Sequence, residues 1–83
     1  MQIETLDEYV KVRADFQGGN VTPLAFKRGE RTYHVEKVNT SWKEREGKTT
    51  RLCFSVESEG ATYFLTLTLP DALWRLEKVI LDG

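Results

Sequence analysis

The sequence predicts an all-β fold, a six-stranded antiparallel meander that curls into a small barrel or a half-open roll. Apolar and polar residues alternate with a period of two along most of the chain, as they do in half-buried strands. Short groups of turn residues separate the alternating segments. Pairing neighbouring segments across these turns brings apolar residues opposite one another, which indicates a single buried face. The 83 residues are expected to form one domain over residues 1–83.

The alternating segments define the strands and leave the amino terminus outside them. Residues 1–8 are predicted to be a flexible tail or a short helix, with Thr5 as N-cap and Glu8 at the capping-box position. The six predicted strands cover residues 10–16, 24–27, 33–36, 52–57, 63–69 and 74–80.

Two turns are predicted in the first half of the chain. A five-residue loop over residues 17–21 pairs the first two strands. A two-residue loop at Gly29 and Glu30, with glycine first as in a type II′ turn, pairs the next two. The predicted opposite pairs are Ala14–Leu24, Val12–Phe26, Phe26–Tyr33 and Leu24–Val35.

Two further turns are predicted in the second half. Glu59 and Gly60 form a two-residue loop, and residues 70–73 form a four-residue loop. Lys78 interrupts the last apolar stripe, which indicates a bulge or an edge there. Residues 39–50 form either a long hairpin end or a mobile loop. The predicted opposite pairs are Val56–Tyr63, Phe54–Leu65, Leu52–Leu67, Leu69–Trp74, Leu67–Leu76 and Tyr63–Ile80.

Composition favours a cytoplasmic protein. The formal net charge of −1 gives no general attraction to nucleic acid or to an anionic membrane. The single cysteine, Cys53, excludes an intramolecular disulfide and a multi-cysteine metal site, and it fits a reducing compartment. The first residues are acidic where a signal peptide is basic, and no apolar segment reaches membrane-spanning length.

The residue types that catalysis uses are few and lack the required spacing. Pairing residues 32–38 with residues 51–58 across the long connection puts His34 opposite Val56. Cys53 then lies roughly 10 Å from His34, too far for a nucleophilic pair. His34 and Glu36 share a face but have no third metal ligand. We therefore expect no enzyme activity, no cofactor, no metal and no small-molecule substrate.

Charge is more informative, because the basic residues are concentrated in the middle of the chain. Residues 26–51 hold eight basic and four acidic residues, a net charge of +4. Arg28 and Arg31 are predicted cross-strand neighbours, which is mildly unfavourable unless an anion lies between them or both side chains extend into water. Trp42 lies beside the basic loop, where its ring either stacks on a nucleic-acid base or folds back to cover the end of the barrel. The candidate anion or nucleic-acid contacts are Arg28, Arg31, Trp42, Lys43, Arg45 and Lys48.

The predicted outer face of the sheet also carries apolar residues. Phe64, Val79 and Leu81 fall on it, and Phe64 is opposite Val79 in the predicted register. This patch is either covered by the amino-terminal Ile3 and Leu6 or binds another subunit.

The chain resembles a family of small, uncharacterised bacterial all-β domains of unknown function. The first matching motifs are V-K-x-x-A-x-F, beginning at Val10, and T-P-L, beginning at Thr22. The third is Y-x-V-x-x-V, beginning at Tyr33, and the late Tyr63 and Trp74 complete the pattern. The resemblance implies a compact cytoplasmic β domain and supplies no catalytic residues.

Two functions from different classes follow from these features. The first is a non-enzymatic module that binds another protein, or itself as a homodimer, through its outer face or an exposed strand edge. The second is a weak nucleic-acid-binding barrel that uses the basic segment. The acidic residues interleaved with those cations favour the first.

Overall fold

The computed structural model describes residues 1–81, which form eight strands. The strands are β1 (Gln2–Tyr9), β2 (Lys11–Gln17), β3 (Asn20–Arg28), β4 (Arg31–His34), β5 (Lys37–Glu46), β6 (Thr49–Ser58), β7 (Ala61–Leu69) and β8 (Leu73–Leu81). The all-β prediction is therefore confirmed. These residues include no helix, and hence none that is long and apolar enough to cross a membrane.

The strands form two antiparallel sheets instead of one six-stranded meander. The larger sheet has the order β1-β8-β7-β6-β5, and the smaller has the order β2-β3-β4. The sheets do not close into a barrel. The amino-terminal segment, predicted as a tail or short helix, is β1, and it pairs with β8.

The chain changes sheets at two places that contain no glycine or proline. Val10 alone separates β1 from β2, and its N–H donates to the Trp74 carbonyl in the five-stranded sheet. At the second place, the Val35 N–H donates to the Leu24 carbonyl of the smaller sheet. The next N–H, that of Glu36, donates to the Glu57 carbonyl of the larger sheet. One peptide step therefore passes the chain between layers.

The core lies between the two sheets and includes a group of three aromatic rings. Phe26 of β3 stacks on Tyr33 of β4 at a centroid distance of 5.1 Å. Phe26 also meets Tyr63 of β7 edge-on at 5.1 Å, which joins the two layers. Burying a side chain of this size is worth about 1.5–3 kcal/mol. The other buried apolar members of this cluster are Phe54, Val56, Ala61, Leu65, Leu76 and Val79.

Two of the four predicted turns have the expected register. Across Glu59 and Gly60, the structure pairs Val56 with Tyr63, Phe54 with Leu65 and Leu52 with Leu67. Both turn residues have positive φ, as a type I′ turn requires. Across Gly29 and Glu30, Phe26 pairs with Tyr33, and only Gly29 has positive φ, as in a type II′ turn.

The other two turns differ from the prediction in the length or position of the loop, and each adjoining hairpin also contains a bulge. The β2–β3 turn has two residues, Gly18 and Gly19. Val12 still faces Phe26, but Ala14 faces Pro23 instead of Leu24. In the β7–β8 hairpin, the predicted pairs Leu69–Trp74, Leu67–Leu76 and Tyr63–Ile80 are replaced by Leu67–Trp74, Leu65–Leu76 and Tyr63–Val79. The register shift beside Lys78 is the irregularity that the interrupted stripe indicated.

Most of the long connection over residues 39–50 is strand. β5 and β6 continue to a turn at Gly47 and Lys48, so the long-hairpin alternative is correct. β6 pairs with β5 and not with β4, so the predicted His34–Val56 pairing is wrong. His34 faces Ala25 in the smaller sheet, and Val38 faces Val56.

Candidate functional site

Arg28 and Arg31 are cross-strand neighbours as predicted, but each has its own carboxylate. Arg28 Nε donates to Glu8 Oε1 at 2.6 Å, and this hydrogen bond raises the pKa of Arg28. Arg31 pairs with Glu59 at the β6–β7 turn and lies 5.0 Å from the centroid of the Tyr33 ring. An anion between the two guanidinium groups is therefore not needed to explain their proximity.

The other four residues of the predicted contact set lie far from Arg31. Arg31 reaches the Glu59 end of β6, whereas Lys48 lies in the turn at its other end. A ten-residue strand is about 30 Å long, so one short ligand does not span both ends. Lys43 also faces Leu52 on the core side of β5, whereas Trp42 faces Cys53 on the outer side. The six residues do not form one surface.

Trp42 instead borders a groove on the outer face of the five-stranded sheet, with a volume of about 510 Å³. The buried small side chains of Cys53 and Thr66 lie at its centre. The rings of Trp42 and Phe64 line the same groove. The groove has balanced charge, because its charged residues are Glu44, Arg51, Glu77 and Lys78. It therefore combines two aromatic surfaces with ionic groups of both signs.

Two contacts order the rings that line this groove. The indole N–H of Trp42 donates to Glu44 Oε2 at 3.1 Å, which orients a ring that is 41% exposed. The ammonium of Lys78 lies 4.6 Å from the centroid of the Phe64 ring, within the range of a cation–π contact.

The thiol of Cys53 does not have the surroundings of a nucleophile. Burial raises its pKa, and the nearby Glu44 carboxylate acts in the same direction. A thiol held protonated reacts slowly, because the thiolate is the reactive form. His34 lies on the other sheet, opposite Ala25, and is not brought near Cys53. Among residues 1–81, no three His, Cys, Asp or Glu side chains are grouped to hold a metal ion.

Labelling of Cys53 tests this environment. In the native protein, we expect the thiol to react with a water-soluble disulfide reagent at least about tenfold more slowly than in urea, because reaction requires local opening. The rate is measured from the released chromophore at neutral pH. Equal rates in the folded and unfolded states would show that the thiol is exposed.

The predicted outer patch of Phe64, Val79 and Leu81 does not form. The register shift around Glu77 turns Val79 to face Tyr63, and Val79 is only 3% exposed. Leu81 packs against the same core, whereas Phe64 remains on the outer face. A one-residue bulge exchanges the faces of a strand, so the alternation that placed Val79 outside fails beyond it.

β5 is a free edge of the five-stranded sheet and runs along the groove. Every residue of this strand except Val38 is exposed. Its pairing with β6 is regular from Thr40 to Glu46, whereas the other free edge, β1, is interrupted between Thr5 and Glu8. β5 therefore presents the longer regular row of unpaired backbone groups.

Charge on β5 is separated by face. Lys43 and Arg45 lie on the core side, opposite Leu52 and Thr50. Glu44 and Glu46 lie on the outer side, the same side as Trp42. Glu44 is opposite Arg51, and Glu46 is opposite Thr49. The sequence showed these charges but not their division between two faces, because no register was predicted for residues 39–50.

Comparison of this chain with protein-family models, curated proteins and solved structures finds no match. The resemblance to the small bacterial β domains stays a prediction. Function is therefore inferred from the residues of this chain alone.

Proposed function

We propose that this protein is a non-enzymatic interaction module that binds an extended segment of another protein along the edge of β5. The observation that carries this proposal is the regular, exposed edge of β5 beside the groove that Trp42 lines. In strand addition, backbone hydrogen bonds supply affinity and pockets for alternate side chains supply specificity. The edge of β5 offers the backbone hydrogen-bonding groups, and the groove offers a pocket for a side chain.

The divided charges of β5 define the chemistry of the partner. A strand added antiparallel to β5 places its residues directly opposite those of β5 and on the same faces. Acidic residues opposite Lys43 and Arg45, and basic residues opposite Glu44 and Glu46, give favourable pairs throughout. An apolar residue opposite Trp42 extends into the groove. The partner segment therefore alternates in charge and carries one apolar anchor.

Selection from a displayed library of random peptides of about twelve residues tests this proposal. We expect enriched peptides to show alternating charge with an apolar anchor. They should lose at least about tenfold in affinity on Trp42→Ala, because aromatic anchors dominate such interfaces. Affinity is measured by titration calorimetry with the synthetic peptides.

Two adjacent proline variants, Thr40→Pro and Ser41→Pro, provide the matched control. Successive N–H groups of an edge strand point alternately towards the neighbouring strand and towards solvent, so one substitution removes a bond to β6 and the other only a free donor. Thermal unfolding shows which of the two variants has lost only a free donor, because that variant keeps the stability of the unmodified protein. That variant should lose the peptides by at least about tenfold, because its free donor is gone and the ring blocks the edge. Full retention of peptide binding in that variant would overturn strand addition at β5.

Sedimentation of the protein alone distinguishes a second copy from a different partner. A monomer at high concentration agrees with a separate protein as partner. A dimer that dissociates in the stable proline variant would mean that β5 pairs with a second copy of this chain.

A further inference from the structure

The outer face of the three-stranded sheet carries a compact group of basic side chains. In one row across the sheet, Lys11 of β2 faces Lys27 of β3, which faces Thr32 of β4. In the next row, Arg13 faces Ala25, which faces His34. Because residues two apart on a strand share a face, these six residues form an array two rows deep and three strands wide. We call it the basic array.

The three cations of the basic array lack ionic partners. The ion pairs found within residues 1–81 use Arg28, Arg31 and Arg75, so Lys11, Arg13 and Lys27 have no carboxylate within 4.0 Å there. Two lysines directly opposite one another are mildly destabilising. Two acidic residues lie beside the array: Asp15, one row further along β2 and opposite Thr22, and Glu30, in the turn between β3 and β4. The six residues of the array thus include three cations and no acidic residue, in a protein with a net charge of −1.

The array surrounds a hollow and not a flat surface. Ala25 is buried at its centre, and the hollow there has a volume of about 280 Å³. A second hollow of about 370 Å³ adjoins it and shares Lys11 and Lys27. The exposed ring of Tyr9 lines that second hollow, and no acidic residue lines either one.

We propose that the basic array binds the phosphate backbone of a single-stranded nucleic acid. Its cations match successive phosphates, and the exposed Tyr9 ring offers a surface on which a base stacks. Two adjoining hollows suit a chain that lies along them better than a flat anionic bilayer. Of the three array cations, only Lys27 belongs to the segment of residues 26–51 in which the sequence concentrates basic charge. The array lies on the other sheet from β5, so this inference does not rest on the proposed strand addition.

A fluorescence anisotropy titration with a labelled polythymidine of about twelve nucleotides tests the inference. With three phosphate contacts, the logarithm of the association constant should fall against the logarithm of salt concentration with a slope of about −2. Replacing all three array cations, Lys11→Gln/Arg13→Gln/Lys27→Gln, should weaken binding at low salt at least about tenfold and flatten this slope.

The chain provides a control of equal charge on its other sheet. Lys43→Gln/Arg45→Gln/Lys48→Gln also removes three cations that have no carboxylate within 4.0 Å in residues 1–81. It should leave binding within about threefold of the unmodified protein, because it changes net charge but not the array. Thermal unfolding of both triple variants verifies that each is folded.

Three results would overturn the inference. The first is no binding of the unmodified protein at low salt, and the second is an equal loss in both triple variants. The third is binding of phosphatidylserine vesicles, abolished by the array substitutions, without oligonucleotide binding, which would assign the array to a lipid surface instead.

Discussion

Replacing Phe26 with alanine is expected to lower the free energy of unfolding by about 3–5 kcal/mol. Phe26 is 1% exposed and contacts Tyr33 in its own sheet and Tyr63 in the other, so its loss leaves a cavity between the layers. A domain of this length is stable by about 4–12 kcal/mol, so the substitution should remove at least about a quarter of that stability. Urea denaturation followed by circular dichroism measures the change.

Phe16→Ala is the matched control for this experiment. Phe16 is on the neighbouring strand, but it is 65% exposed. Its replacement should change stability by no more than about 0.5 kcal/mol. Similar losses in the two variants would mean that the aromatic group around Phe26 does not hold the layers together.

Replacing Val79 with aspartate is expected to cost more than about 4 kcal/mol and to unfold much of the protein. Val79 faces Tyr63 in the core and is buried, so the new carboxylate would lose its hydration without gaining a partner. The sequence alone placed Val79 on the outer face, where the same substitution is mild. The far-ultraviolet circular dichroism spectrum and the thermal midpoint measure the outcome.

Ile80→Asp tests the same register from the adjacent position. Ile80 faces Thr62 and Ile3 and is half-buried, so this variant should remain folded and lose less stability than Val79→Asp. If Ile80→Asp instead lost more stability than Val79→Asp, the register that the sequence indicated would be correct and a bulge at Glu77 would be excluded.

Period-two alternation predicted strands wherever one side of a strand is buried and the pairing is regular. The β6–β7 hairpin meets both conditions, and its predicted pairs are all present. β5 was predicted only as one of two alternatives for residues 39–50, because it is exposed almost throughout and Val38 alone is partly buried. β1 was not predicted as a strand because its bulge, where Asp7 has positive φ, interrupts the alternation of apolar and polar residues after Thr5.

The division into two sheets has no counterpart in the sequence. Turns are recognised by glycine, proline and short polar residues. The chain changes layers at Val10 and again between Val35 and Glu36, and none of these three residues is typical of a turn. Six predicted strands therefore read as one continuous meander.

The candidate sites were predicted where local spacing decides them and missed where distant residues do. The proximity of Arg28 and Arg31 followed from a two-residue turn. Their partners, Glu8 and Glu59, lie 20 and 28 residues away from them in sequence. The basic array joins Lys11 and Lys27 from opposite arms of a hairpin. The predicted pair of Val12 and Phe26 already placed Lys11 opposite Lys27, so this part of the basic array could have been found from the sequence.

The pairing of β1 with β8 also sets the order in which the larger sheet is assembled. Gln2 of β1 lies opposite Leu81 of β8. β1 therefore cannot pair with β8 until all the strands between them, and β8 itself, have been synthesised. Closing such long chain loops slows folding towards the millisecond-to-second range that sheet-rich proteins occupy. Until β8 emerges, β7 has an open side, and the growing chain carries that aggregation-prone edge in the cell.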